Sequence, residues 1–431
     1  MEQPNVTHDG AAALTPRFWV ALVVASVLTG LIGQALMWLL RAVEYWAYGF
    51  RSGSYQAAVA ATSPLHRVLM LLLAGVLGAL GWYATRRYLA HQSSEIDDAV
   101  WNGSGKVHVR RSLATSVVSE VTIGLGASAG REAAPKLMGG AVASFLSTRF
   151  ALSDGQRVLL VACAGGAGLA AVYNVPLGGA FFTAEVMLGS FALPVVLAAL
   201  SSSFIATLTG WLTLSHAATY SDVANFQYST SLLVWSSIAG VVIGLFAAAN
   251  IRILGWVAHR RPRGANLLWV MPLAFTFLGI VGIWRPELFG NGIDIAHQAF
   301  LGVGTLSLLL LLAVLKPLAT ALTLGAGAAG GVFTPVLATG AALGGALGVA
   351  WAHLWPGAPV GACALVGAAA MIGSSMQAPL AALALVTELT HSGLGVMIPM
   401  IAATTIATLV VRTLDGYSIY TARLPRHEGG T

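Results

Sequence analysis

Long apolar runs separated by short polar stretches recur along the whole chain. The first, from Phe18 to Leu40, is interrupted only by small residues and Gln34. Further runs cover about 68–85, 231–257, 267–284, 303–324 and 396–411. A membrane-spanning helix needs about 20 consecutive apolar residues. The pattern therefore predicts an all-α polytopic membrane protein, whose first span is an uncleaved anchor.

A second pattern interrupts the first, because several apolar segments are dense in glycine and contain proline. They lie at 103–140, 163–180, 325–340 and 367–380. Such segments predict short helices joined by irregular backbone. Irregular backbone at membrane depth is tolerated only where it is buried in protein or lines a watery cavity. Interrupted segments at matching positions of two halves are also the best sequence pointer to a transport site.

The interrupted segments repeat along the chain. "GREAAPKLMGG" (130–140) aligns with "GGVFTPVLATG" (330–340), and the same offset places Cys163 on Cys363. Slightly later, "NVPLGGAFFTAE" (174–185) aligns with "QAPLAALALVTE" (377–388), so that Glu185 coincides with Glu388. We predict two homologous membrane repeats, 17–215 and 230–425, with a connecting loop at 216–229. A cytoplasmic N-terminal tail (1–16) and a short tail (426–431) flank them.

Charge is sparse and unevenly placed. Only 9% of the residues are charged, against about a quarter in a soluble domain. Basic clusters follow two apolar runs, at Arg86–Arg87 and 259–263, and another lies near the C-terminus; by the positive-inside rule they mark cytoplasmic ends. The clusters lack the aromatic and polar residues of a nucleic-acid surface. No CxxC or histidine cluster is present, so we predict neither a metal site nor a cofactor.

Three breaks have the chemistry of an anion site. "GSG" (103–105), "GREAAP" (130–135) and "GGVFTP" (330–335) each precede an apolar segment. A half-helix that begins inside the membrane points free N–H groups and its positive dipole end at any anion there. The chain has only three lysines, and Lys106 and Lys136 lie just inside two of the breaks. We predict that they raise the positive potential along an anion path; the alternative is snorkelling at a helix end.

Glu132 is the one carboxylate within these breaks. It could take the place of an anion when ionised and leave when protonated, which would make it a gate that carries a proton. The alternative is a local pair with Lys136, four residues further on. Glu185 and Glu388 are assigned a structural role, in which they accept hydrogen bonds between helices.

These segments resemble the CLC family of chloride channels and proton/chloride antiporters over nearly the whole chain. The family motif GSGIP appears as "GSGKV" (103–107), GREGP as "GREAA" (130–134), and GxFxP intact as "GVFTP" (331–335). The stretch 174–185 and the tyrosine in "SIYTA" (418–422) are also similar to the family. The resemblance implies a CLC-like fold of two inverted-topology repeats of tilted and part-spanning helices, without C-terminal regulatory domains, in the cell membrane.

The resemblance also implies a homodimer with one pore per subunit and chloride as substrate, with other halides or nitrate as further candidates. The central anion would be held by Ser104, Tyr420 and the backbone of Gly331, Val332 and Phe333. Glu132 would be the extracellular-side gate and proton acceptor. The backbone at Arg131 would lie near an outer anion site, while the side chain of Arg131 would pair locally.

Departures from the family motifs affect the choice of mechanism. Lysine and valine replace Ile and Pro in "GSGKV", and the proline of "GREAAP" is one position late. Val186 stands where many antiporters have a second glutamate that relays protons from inside. Valine there favours a passive, voltage- or pH-gated chloride channel. The alternative is a proton-coupled antiporter. A distant alternative, a polytopic membrane enzyme, rests on Ser104 with His108 four residues on; we predict that the chain is not an enzyme.

Overall fold

The computed structural model of the chain describes residues 14–89 and 95–423. Within these ranges the regular structure is helical, apart from one isolated bridge between two residues. Residues 1–13 of the predicted N-terminal tail and all of 426–431 lie outside the described residues. The helices are α1 (Pro16–Tyr48), α2 (Tyr55–Ala61), α3 (Pro64–Tyr88), α4 (Ile96–Trp101), α5 (Val109–Gly124), α6 (Ala133–Arg149), α7 (Asp154–Tyr173), α8 (Pro176–Phe181), α9 (Leu193–Gly210), α10 (Thr230–His259), α11 (Leu267–Trp284), α12 (Ile293–Phe300), α13 (Leu306–Gly325), α14 (Phe333–Ala352), α15 (Val360–Met376), α16 (Pro379–Thr390) and α17 (Met397–Leu414).

Nine segments of the described chain are long and apolar enough to cross a bilayer. Six of them overlap the six apolar runs, so the prediction of a polytopic helical membrane protein is confirmed. Among the other three, Asp154–Tyr173 and Phe333–Ala352 have 89% and 83% of their most apolar windows buried. They contact other helices rather than lipid, so glycine and alanine serve there as well as leucine.

Polar residues fix where several long helices begin. Thr15 accepts a hydrogen bond from the Phe18 N–H before α1, and Ser229 accepts one from the Leu232 N–H before α10. Ser153 and Gln156 form a reciprocal capping box at the start of α7. Each bond satisfies an N–H that has no partner within its own helix. The boundaries of these spans therefore follow from local sequence.

In each half of the chain, one helix ends at a polar residue whose backbone is left-handed. Asn174 follows α7 and Gln377 follows α15, both in the left-handed region, at φ 58° and 56°. Pro176 and Pro379 then begin the short helices α8 and α16. Proline is favoured in the first turn because its missing N–H is not needed there. The same stop and restart therefore occurs once in each half of the chain.

Each half supplies a carboxylate to a short helix of the other half. Glu185 accepts from the Leu380 N–H at 3.3 Å and the Ala381 N–H at 2.7 Å, in the first turn of α16. Glu388 accepts from the Leu177 N–H at 3.0 Å and the Gly178 N–H at 2.7 Å, in the first turn of α8. These hydrogen bonds give both glutamates the interhelical contacts expected of a structural role. We call these two pairs of hydrogen bonds, accepted by Glu185 and by Glu388, the crossed caps.

We expect Glu388→Gln to lower the stability of the protein without changing its transport stoichiometry. The amide keeps one acceptor oxygen but presents an NH₂ group to the second N–H, and a hydrogen bond to a charged group is worth about 1.5–3 kcal/mol. The unfolding midpoint in detergent measures the loss. Thr387→Val is the matched control, since Thr387 donates only within its own helix, to the Leu383 carbonyl at 2.8 Å. Equal midpoints for Glu388→Gln and Thr387→Val would contradict the crossed caps.

Candidate anion site

Two helices begin side by side within the molecule. The Gly130 N–H donates to the Gly331 carbonyl at 2.7 Å, and the Gly331 N–H donates to the Gly130 carbonyl at 2.8 Å. This pair is the isolated antiparallel bridge of the fold. Helix α6 begins three residues after Gly130 and α14 begins two residues after Gly331. The positive dipole ends of two helices therefore meet at the bridge.

The side chain of Glu132 lies against the start of α14. Its Oε1 accepts from the Phe333 N–H at 2.8 Å. Its Oε2 accepts from the Thr334 hydroxyl at 3.2 Å and from the Tyr173 hydroxyl at 3.4 Å. The residue is only 5% exposed. A carboxylate thus occupies a helix N-terminus of the kind that binds free anions.

A cavity of about 120 Å³ extends from Glu132 to Arg86, Arg261 and Arg423, which the positive-inside rule places on the cytoplasmic side. One water molecule needs roughly 10–15 Å³ of such space, so the cavity has room for several waters or ions. We call it the inner cavity. Its lining residues come from regions far apart in the chain and include Glu95, Ile96, Asp97, Thr115, Ser116, Ser119, Glu132, Lys136, Gly331, Val332, Phe333, Tyr420 and Arg423.

Lys136 places a positive charge inside this cavity. Its Nζ lies 2.8 Å and 3.0 Å from the two carboxylate oxygens of Asp97. The same Nζ stands 4.8 Å from the ring centroid of Tyr420 and 5.5 Å from that of Phe182. Lys136 therefore pairs with Asp97 of α4, and Glu132 is bound by α14 instead of forming the local pair considered for it.

The cytoplasmic end of the inner cavity is rich in cations. Arg86, Arg261 and Arg423 line it together with Glu95. Arg261 and Arg423 each approach Glu95 to 3.7 Å. With Lys136, Asp97 and Glu132 included, four cations and three carboxylates line the inner cavity. A cleft with an excess of positive charge concentrates anions from solution.

A second cavity, of about 540 Å³, lies on the opposite side of Glu132, which the positive-inside rule makes the outer side. Glu44, Arg131 and Tyr173 are among the residues that line this outer cavity. The Arg131 guanidinium stacks over the Tyr173 ring at 5.0 Å from its centroid. Arg131 and Glu132 are neighbours in sequence that face different cavities, so the Glu132 side chain stands between the two.

The structure does not bring Ser104 to the inner cavity, which corrects the expectation for this residue. Gly103 and Gly105 adopt φ values of 72° and 56°, which make a tight turn after α4. The Ser104 hydroxyl faces the Ala99 carbonyl at 3.4 Å and accepts from the Lys106 N–H at 3.3 Å. The inner cavity meets the first turn of α4, at Ile96 and Asp97, rather than the GSG turn after its last residue.

The structure places the two candidate lysines in different environments. Lys106 follows the GSG turn with an exposed side chain, outside the inner cavity, while Lys136 lies within it. The remaining lysine, Lys316, is fully buried on α13. Its Nζ donates to the carbonyls of Leu288 and Gly290 and to the Ser128 hydroxyl, at 2.7–3.1 Å. Of the three lysines, Lys136 alone lines the inner cavity.

Sequence reasoning missed three residues of the site: Thr334, Tyr173 and Asp97. Thr334 lies inside the GVFTP motif, where its hydroxyl was an available signal. Tyr173 ends α7, and its hydroxyl lies 2.6 Å from that of Thr334. Asp97 belongs to an acidic pair at 97–98, the one polar feature that could have drawn attention to α4. Val186 is buried in the π-helical segment Phe182–Met187.

We expect Gly331→Ala to displace the Glu132 carboxylate. A Cβ built on Gly331 would collide with Glu132 Oε1, and the side chain is the flexible partner in that contact. Losing a hydrogen bond to a charged group costs about 1.5–3 kcal/mol, so the equilibrium constant for binding of the Glu132 carboxylate to the start of α14 should fall at least tenfold. Chloride efflux from liposomes should become less dependent on pH. In a Glu132→Ala background, Gly331→Ala should add nothing; a further change there would contradict this account.

Comparisons with known proteins identify the family. A family model described as "Voltage gated chloride channel" matches residues 77–412. The chain is 31% identical over 416 residues to a protein of Yersinia pseudotuberculosis named "Voltage-gated ClC-type chloride channel ClcB", covering 92% of this chain and 98% of that one. A Salmonella typhimurium protein of the same name is 27% identical, over 93% of this chain and 97% of its own.

Solved structures share the fold. A crystal structure described as a slow cyanobacterial Cl⁻/H⁺ antiporter superposes with a TM-score of 0.83 at 24% identity, covering 95% of this chain and 97% of that chain. A CLC-type fluoride/proton antiporter gives a TM-score of 0.73 at 21% identity, covering 94% and 98%. At these identities the likeness establishes the fold alone. Together with the family match, it makes this chain a multi-pass membrane protein of the CLC family of anion transport proteins, with the CLC-like fold of two inverted-topology repeats of tilted and part-spanning helices.

Proposed function

We propose that the chain is a proton-coupled chloride antiporter in which Glu132 is both the gate and the proton acceptor. One observation carries the proposal: the Glu132 carboxylate occupies the anion-binding end of α14, between two cavities. When ionised, it competes with chloride for the Phe333 N–H. Protonation removes its negative charge and hence its attraction to the helix N-terminus. The neutral side chain then leaves, and it carries a proton as it does so.

Further residues of the inner cavity have proposed roles in holding the anion. The backbone of Gly331, Val332 and Phe333 offers N–H groups at the start of α14, and the Tyr420 hydroxyl is the nearby side-chain donor. Lys136 adds positive potential within the inner cavity, and Arg131 does so in the outer one. Chloride is the proposed substrate, with other halides or nitrate as further candidates. Ser104 and Lys106 have no part in this arrangement.

The channel interpretation rests on Val186 and on the names of the curated relatives. The exchange interpretation rests on the placement of Glu132, and the structural relatives described as antiporters support it. A protonatable gate would also serve a pH-gated channel, so the preference between the two follows the structural relatives described as antiporters. We therefore favour exchange. We also propose that the chain acts as a homodimer in the cell membrane, with one pore in each subunit; this rests on the family, and cross-linking in membranes tests it.

The deciding experiment measures chloride and protons together. Liposomes that contain the purified protein are loaded with chloride and diluted into low chloride, while a chloride electrode and a pH-sensitive dye follow both ions. Exchange predicts that chloride efflux drives protons inward, even against a proton gradient. Chloride efflux without proton movement would contradict exchange and favour a channel. No chloride efflux at all would contradict both.

A further inference from the structure

One buried carboxyl group has no hydrogen-bond partner among the described residues. Glu120, on α5, is 0% exposed, and neither of its carboxyl oxygens accepts a hydrogen bond there. The comparably buried carboxylates differ, because Asp97 pairs with Lys136 and Glu132 accepts three hydrogen bonds. An isolated ionised carboxylate is costly to bury, so an unpartnered one calls for an explanation.

The position of Glu120 on α5 supplies part of that explanation. Ser116 and Ser119 of α5 line the inner cavity, and Ile123 lines the outer cavity. Residues three and four apart share a helix face, so Glu120 lies on one face with Ser116 and Ile123. One helical turn separates it from each. Glu120 lines neither cavity itself; it lies on α5 between them.

The charges around Glu120 come from the elements that flank the outer cavity. Arg131 and Glu132, at the start of α6, and Glu44, on α1, interact electrostatically with its carboxyl group. Helix α3 also packs on α5, but its cations lie at its two ends. Arg67 donates to backbone carbonyls near the outer side, and Arg86 lines the inner cavity. Glu120 is thus close enough to interact electrostatically with both an acid of the outer cavity and the proposed gate.

We propose that Glu120 is a proton carrier between the outer cavity and Glu132. In this scheme the ionised carboxyl of Glu120 accepts a proton from water in the outer cavity and becomes a neutral acid. It then donates that proton to the Glu132 carboxylate and returns to the ionised form, which Arg131 stabilises. The step moves one proton and breaks no other bond. This inference rests on the proposed proton-coupled exchange, and it adds a second titratable group to it.

The competing interpretation is that Glu120 only fills space in the packing of α1, α3 and α5. A filler would be replaced without harm by glutamine, which has nearly the same shape. A proton carrier would not, because an amide does not take up and release protons at these pH values. Aspartate separates the two further, since it keeps the carboxyl group and shortens the side chain by one methylene.

The test compares the wild type, Glu120→Gln and Glu120→Asp in the same liposome assay, with chloride and protons followed together. We expect Glu120→Gln to slow proton movement on the order of a hundredfold, the lower end of what a positioned proton-transfer group contributes. Chloride efflux should continue. Glu120→Asp should restore part of the proton movement and shift its dependence on external pH. Glu388→Gln is the matched control, because it removes a membrane carboxylate away from both cavities and should keep the wild-type proton-to-chloride ratio.

Each possible result supports or overturns at least one of the two proposals. Wild-type coupling in Glu120→Gln would overturn the proton-carrier role and leave proton-coupled exchange intact. A wild type that moves no protons would overturn both proposals at once, and it is recognised before any variant is made. If Glu120→Gln does not fold, Glu120→Asp decides alone: an unchanged rate and pH profile of proton movement would overturn the carrier role, and a slower rate with a shifted profile would support it.

Discussion

Glu132→Gln is expected to abolish proton movement while chloride still passes. The amide is close to the carboxylate in shape, but it has no negative charge and no proton to exchange. Its attraction to the start of α14 is therefore weaker, and the anion path past Phe333 stays open. Proton flux should fall on the order of a hundredfold or more. Chloride efflux should persist and lose its dependence on pH.

The matched control for this variant is Glu185→Gln. Glu185 also accepts two backbone N–H groups at the start of a half-helix, yet it belongs to the crossed caps rather than to the inner cavity. Both variants therefore lose one charge at a helix N-terminus. Only the change at Glu132 should uncouple protons from chloride. Continued proton movement in Glu132→Gln, at the wild-type ratio to chloride, would remove Glu132 from the mechanism.

Lys136→Met is expected to weaken both chloride binding and the fold. The substitution leaves the buried Asp97 carboxylate without its partner, and breaking such a pair from one side costs about 3–5 kcal/mol. It also leaves three cations and three carboxylates in the inner cavity, which no longer favours an anion. Two unit charges 4 Å apart interact by about 4 kcal/mol at an effective dielectric of 20, so the dissociation constant for chloride should rise at least tenfold. Calorimetric titration with chloride measures it.

A double variant separates the two effects of Lys136. Asp97→Asn together with Lys136→Met removes both charges, so the buried carboxylate no longer stands alone and the unfolding midpoint should recover. Chloride affinity should recover only in part, because the cavity again has one more cation than carboxylates but lacks the ammonium group beside Tyr420. Lys106→Met is the matched control and should change neither quantity, since Lys106 is exposed. Wild-type chloride affinity in Lys136→Met would show that the lysine serves Asp97 alone.

The apolar pattern predicted the helices that face lipid. It gave only a weak signal for the helices that are buried among other helices. Phe18 to Leu40 stood out because leucine, valine and tryptophan fill it. Asp154–Tyr173 and Phe333–Ala352 are rich in glycine and alanine, since close packing against neighbouring helices replaces contact with lipid. Hydropathy measures the preference for lipid, so it registers a buried inner helix only weakly.

Part of the site could be predicted because its chemistry is local. A carboxylate in "GRE" and bare N–H groups in "GVF" belong to two helix starts, and the repeat in the sequence suggested that they meet. The contacts that complete the site are not local. Thr334 lies 202 residues from Glu132, and Lys136 lies 39 residues from Asp97. Nothing in the sequence around Asp97 indicates which cation it meets.

The prediction for Ser104 failed for a different reason. Glycine–serine–glycine suits any tight turn in which a left-handed backbone is needed, and here it forms one after α4. A three-residue match cannot tell a turn that cradles an anion from a turn that ends a helix. What decides is the direction in which α4 runs relative to the inner cavity, and that direction is set by packing between helices far apart in the chain.

The crossed caps have a consequence for how the protein is made. The acceptor for the first turn of α8 is Glu388, which the ribosome adds 210 residues after Gly178. At about 5–20 residues per second, the first half waits on the order of ten to forty seconds for it. During that time two N–H groups of α8 lack their final acceptor within the membrane. The first half of the protein is therefore synthesised before its fold can be completed. Until Glu388 is added, water, lipid head groups or the insertion machinery must accept the hydrogen bonds of these two N–H groups.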